Sequence, residues 1–115
     1  MGASTKGIMS SEVTPESVMA RLKVFCSNVT KKYDKYDDGS FACWINFEYD
    51  AVKYQLFITQ SDDCFEIDED LHTVVSLDNV YDSVEIIKLL LKGFGGYIRE
   101  NDHDYKGEYK FINKA

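Results

Sequence analysis

Proline is nearly absent from this chain, with one residue at Pro15, and glycine is held to seven, so the sequence is neither linker-rich nor of low complexity. Cysteine is scarce and odd in number. Cys26, Cys43 and Cys64 share no C-x-x-C spacing, which indicates neither a disulfide framework nor a zinc site. Free thiols belong in a reducing compartment, and the chain is read as cytoplasmic. Histidine is limited to His72 and His103, and no G-x-S-x-G, H-E-x-x-H or other catalytic signature is present. No run approaches the ~18 apolar residues of a membrane span. The opening MGASTKGIMS lacks the apolar stretch of a secretory signal. Its likeness to a myristoylation motif breaks at Lys6, where Ser or Thr is required. Residues 1–13 are therefore read as a flexible leader and residues 14–115 as a single domain.

Cations are what the middle of the chain lacks. The net charge is −7 overall, but Met1 to Tyr36 holds six cations and three anions, and Ile86 to Ala115 six and four. Asp37 to Glu85 holds thirteen anions and one cation, Lys53. Neutralising phosphates takes Lys and Arg, so such a segment is not expected on DNA or RNA. A basic partner is the electrostatic complement.

What is present reads as alternating helix and strand. Thr14-Pro15-Glu16 combines a capping hydroxyl, a proline at the first helical position and an acidic first turn. Val18, Leu22, Phe25 and Val29 then recur at helical spacing, which predicts a helix to about Tyr33. From Phe41 the period becomes two: Phe41, Cys43, Ile45, Phe47 and Tyr49 face one way, and Trp44 and Asn46 the other. Past Asp50-Ala51 the alternation resumes with Tyr54, Leu56 and Ile58 opposite Lys53, Gln55 and Phe57, which predicts an antiparallel hairpin. A short third strand is expected to carry Phe65 and Ile67 inward, while Val74 and Val75 fit either a strand or a connection.

Val84, Ile87, Leu90 and Leu91 mark a second helix beginning near Asp82-Ser83. Gly93 is expected to end it, with Gly95 and Gly96 free to take positive φ as the chain turns into Tyr97. A hairpin closed by Tyr109 to Ile112 follows. The expected fold is α+β in two layers, ordered helix, three-stranded antiparallel meander, helix and C-terminal β-hairpin. Trp44 and Phe57 would then be an aromatic pair on the uncovered face, a feature of association surfaces.

The densest charge is Asp62, Asp63, Glu66, Asp68, Glu69 and Asp70, six carboxylates in nine residues. On a strand Glu66, Asp68 and Asp70 would share one face about 7 Å apart. Unit charges at that spacing in water repel by only about 0.6 kcal/mol, so a solvated strand carries them without a ligand. Such a surface either keeps an edge strand from pairing with other chains or receives a basic partner. A calcium loop begun at Asp34 would fit at Asp38 and Gly39 but has Ile45 where the bidentate Glu belongs.

The order helix, three strands, helix over roughly residues 14–92 resembles the double-stranded RNA-binding domain. That resemblance implies phosphate contacts at the start of the second helix and in a loop between strands. Here those places hold Tyr81-Asp82-Ser83-Val84-Glu85, Asp50, Asp62 and Asp63. The sign is wrong at each, so the RNA-binding function does not carry over.

The function expected is that of a small acidic, non-enzymatic interaction module: an inhibitor, immunity protein or adaptor. Its acidic residues, with Trp44 as an aromatic anchor, would dock a basic protein, such as one whose groove accepts nucleic-acid phosphates. A second copy of the chain is a further partner. No cofactor, metal, membrane or direct nucleic-acid contact is expected. The competing reading is a ligand-binding or enzymatic domain with a pocket near the C-terminal hairpin, lined by Tyr97, His103 and Tyr105. A weaker one is a nucleic-acid binder using Arg21, Lys23, Lys31, Lys32 and Lys35 of the first helix.

Overall fold

The computed structural model describes residues 3–35, 41–101, 104 and 106–115. It is an α+β fold: one open antiparallel sheet of seven strands, two helices and a C-terminal strand pair. In chain order the elements are β1 (Ser4–Ser10), α1 (Pro15–Phe25), β2 (Ser27–Lys35), β3 (Phe41–Tyr49) and β4 (Val52–Ser61). β5 (His72–Asp78), α2 (Ser83–Leu91), β6 (Gly96–Asn101) and β7 (Lys110–Ile112) complete it. The strands lie in the order β2-β3-β4-β5-β1-β6-β7.

The flexible leader expected at residues 1–13 is overturned, because Ser4–Ser10 forms the strand that joins the two halves of the sheet. It pairs antiparallel with β5 from Ser4↔Asp78 to Ser10↔His72, and with β6 from Ser4↔Asn101 to Ile8↔Tyr97. A strand covered on both sides cannot advertise itself by alternation. Thr5 is fully buried and donates its hydroxyl to Asn79 Oδ1. Ile8 and Met9, at 2% and 1% exposure, face opposite sides.

The first helix starts where the sequence predicts, with Thr14 and Ser17 forming a reciprocal capping box. It ends at Phe25 rather than Tyr33. Ser27-Asn28-Val29-Thr30 are poor helix formers, and Asn28 takes a left-handed φ of 53° at the irregularity that separates Ser27 from Thr30 in the β2–β3 register. Val29 keeps its place against the core, but from a strand. The meander consequently has four strands, not three, and the order shared with the double-stranded RNA-binding domain does not hold.

The β3–β4 hairpin has the register expected of it, ending at Tyr49↔Val52. Asp50 and Ala51, at φ 51° and 62°, make the turn. The third strand is displaced: residues 65–67 are a turn, and His72–Asp78 is the strand. Gly95 and Gly96 take φ of 78° and 153°, as their position after α2 requires.

Both helices pack on one face of the sheet. Val18 and Leu22 of α1 join Ile86, Ile87, Leu90 and Leu91 of α2 over Cys43, Ile45, Leu56, Ile58, Val75 and Ile98 in one buried cluster. Arg21 ties the helices together, donating from Nε and Nη2 to the Leu89 carbonyl oxygen at 3.1 and 2.7 Å. That carbonyl lies in the last turn of α2, where the macrodipole favours a cation.

Candidate functional site

The sheet's other face carries no helix, and the chain covers part of it with its own acidic run. Between β4 and β5, residues 62–71 fold over the side of the sheet that bears Ile8, Val74 and Arg99. Cys64, 7% exposed, packs with Ile8 and Val74 in a second small core, and Ile67 and Tyr109 close around them. The Cys64 carbonyl accepts from the amides of Ile67 at 2.9 Å and Asp68 at 3.2 Å, which closes the turn. Burial pushes the Cys64 thiol above its ordinary pKa; the Asp63 and Asp68 carboxylates add to this and Lys6 and Arg99 oppose it.

With Cys64 and Ile67 directed inward, everything charged is directed outward. Asp62, Asp63, Glu66, Asp68, Glu69 and Asp70 are all exposed. The expectation that they lie along a strand is not met: they lie on the connection between β4 and β5. Three are engaged by neighbours. Asp63 accepts from the Ser61 hydroxyl. Glu66 Oε1 lies 3.5 Å from Arg99 Nη1. Asp68 Oδ1 meets His72 Nε2 at 2.8 Å and accepts from the Asp70 amide, also at 2.8 Å. The Asp70 amide, then His72, hold the Asp68 carboxyl below the ordinary carboxylate range. Asp62, Glu69 and the Asp70 carboxylate make no hydrogen bond or ion pair among the described residues.

Phe65 corrects the sequence reading. Instead of pointing inward it stands 71% exposed within this acidic segment, and Leu71 at the loop's far end is 46% exposed. The pairing of an apolar residue with an inward neighbour failed because the turn at 65–67 breaks the period of two. Trp44 is where the sequence puts it, on the helix-free face of β3, its ring 5.1 Å from that of Phe57. It is half-buried and does not join the acidic loop.

Beside the loop lies a crevice of about 340 Å³, whose lining includes Lys6 of β1, Asp63, Phe65 and Glu66 of the loop, Arg99 of β6, and Lys106. Arg99, 6% exposed, is its fixed point. Its Nε donates to the Gly107 carbonyl at 2.9 Å, its Nη1 to the Tyr109 hydroxyl at 2.8 Å, and its guanidinium stacks 4.5 Å from the Tyr109 ring centroid. Asn101 Oδ1 is buried and accepts no hydrogen bond among the described residues. None of Lys6, Arg99, Asn101 or Lys106 stands out in the sequence, since only the β1–β6 register brings them together.

Of the pocket residues expected near the C-terminal hairpin, Tyr97 packs edge-on against Phe111 at 5.2 Å. His103 and Tyr105 lie outside the described residues. Nor does the first helix carry the basic surface considered above. Arg21 is committed to α2, Lys31 lies on β2 and pairs with Glu16 at 3.4 Å, and Lys32 and Lys35 are also on β2. Among the described residues no group of three or more His, Cys, Asp or Glu is placed to hold a metal ion, and no helix is long and apolar enough to cross a membrane. Comparison with protein-family models, with curated proteins and with solved structures returns no match to this chain.

Proposed function

We propose that this protein is a small non-enzymatic interaction module, of the inhibitor, immunity-protein or adaptor kind, that docks a basic protein through the 62–71 loop. The observation that supports this is Phe65, 71% exposed within a nine-residue segment that also carries six exposed carboxylates. An exposed aromatic anchor with charged neighbours has the composition of a protein-binding patch. Cys64 and Ile67, seated on the sheet, hold the loop in one shape, so little conformational entropy is lost on docking. The carboxylates steer a positively charged surface into contact, and the Phe65 ring then slows its departure. A groove that normally accepts phosphates suits such a cluster of anions. Trp44, with Phe57, extends the apolar contact on the same side of the sheet. Three cysteines without disulfide partners suit a reducing, cytoplasmic setting.

The structure changes which residues test the reading. Glu66 and Asp68 serve Arg99 and His72, so reversing them would disturb the fold as well as the surface. Asp62, Glu69 and Asp70 are the informative positions. Charge reversal of these three to Lys should slow association with the partner by tenfold or more at low salt, on the order expected of electrostatic steering. Phe65→Ala should mainly hasten dissociation. Association rates that are independent of salt and equal for wild type and triple variant would contradict the reading.

A further inference from the structure

The crevice beside the acidic loop is chemically unlike the loop. Its cations outnumber its anions, and the anions are already engaged: Glu66 with Arg99, Asp63 with the Ser61 hydroxyl. Lys6 and Lys106 have no hydrogen bond or ion pair from their side chains among the described residues. In a chain of net charge −7, two ammonium groups left without carboxylates beside one cleft, with a buried guanidinium between their strands, form an anion-attracting wall. The floor is apolar, formed by Ile8, Val74 and Cys64. A volume near 340 Å³ is at the lower end of small-molecule sites.

We propose that this crevice binds a small organic anion, a carboxylate or phosphate monoester, with Lys6 and Lys106 on the anionic group. Arg99 is the positioning residue. Its three fixed contacts to Gly107, Tyr109 and Glu66 leave it to supply field rather than to swing onto the ligand. The crevice shares a wall with the docking loop, since Asp63, Cys64, Phe65 and Glu66 line it, but Lys6 and Lys106 belong to other elements, so the Lys variants test this inference and the loop variants test the docking reading.

The test is a titration followed by amide chemical shifts, using citrate as the carboxylate probe, glycerol 2-phosphate as the phosphate probe and inorganic phosphate as the comparison that lacks an organic part. Saturable shifts centred on residues 6, 64, 99–101 and 106 are expected with citrate or glycerol 2-phosphate, and which of the two binds more tightly assigns the anionic group. Lys6→Gln and Lys106→Gln should each weaken binding by about tenfold, the scale of one lost charged hydrogen bond. Lys6→Arg should retain it. Lys6→Glu, which sets a carboxylate against the anionic group, should abolish binding while wild-type-like amide spectra elsewhere show the fold intact. Shifts that do not saturate, or that persist unchanged in both Gln variants, would overturn the proposal.

Discussion

At the scale of single residues, two positions connect packing and charge to measurable stability. Gly7 lies where α2 crosses the central strand, and a Cβ there would meet Val75 Cγ2 at 2.9 Å, Ile87 Cγ2 at 3.3 Å and Leu91 Cδ2 at 3.4 Å. The helix approaches this closely only because the strand has no side chain at that point. Gly7→Ala should therefore cost about 1–3 kcal/mol in a denaturant titration, and an unchanged midpoint would show that the helix yields without strain. Asp68 makes the electrostatic case. Its carboxyl is held below the ordinary range by the Asp70 amide and His72. A carboxylate whose pKa is depressed in the fold stabilises it above the unfolded value, and the stabilisation disappears as pH falls through the folded value. The melting temperature of Asp68→Asn should thus lie below wild type near neutrality, and the gap should close as the pH falls below about 4. A gap that stays constant with pH would assign the loss to something other than this charge.

At the scale of elements, the β3–β4 turn shows how a sequence can signal a hairpin without the residues best suited to it. Asp50 and Ala51 both have positive φ, the pattern of a type I′ turn, for which Asn-Gly or Asp-Gly is favoured. Ala51 carries the steric cost of that conformation, so Ala51→Gly should raise stability by about 0.5–1 kcal/mol after the glycine's greater unfolded entropy is allowed for. A loss of stability would mean that the alanine methyl makes a contact worth more than the strain. The elements legible in the sequence were those with a face to show. Thr14 to Leu22, Phe41 to Ile58 and Ser83 to Leu91 each alternate apolar and polar residues at the period of their structure. Two elements gave no such sign. β1 is central, and Thr5, Gly7 and Ile8 look like any polar leader until β5 and β6 flank them. The span from Cys26 to Val29 satisfies helix and strand periods alike, and the φ of 53° at Asn28 decides it.

At the scale of the whole molecule, the order β2-β3-β4-β5-β1-β6-β7 places both helices on one side and leaves the acidic loop and the crevice on the other. This separation explains how much of the candidate site the sequence disclosed. The six carboxylates are adjacent in the chain, so their density was visible at once. The exposure of Phe65 was not, because it depends on Cys64 being seated between Ile8 and Val74. The cationic wall was also hidden, since Lys6, Arg99 and Lys106 meet only through strand pairing across a hundred residues of chain.

The central claim is that the loop docks a basic partner by charge around an aromatic anchor. Its most direct test is capture from a lysate of the source cells on three baits, wild type, the Asp62→Lys, Glu69→Lys, Asp70→Lys triple variant and Phe65→Ala, each at low and high salt. The account predicts a basic protein held by wild type, released by high salt, absent from the triple variant and lost more readily on washing from Phe65→Ala. Equal retention on all three baits at both salt concentrations would contradict it.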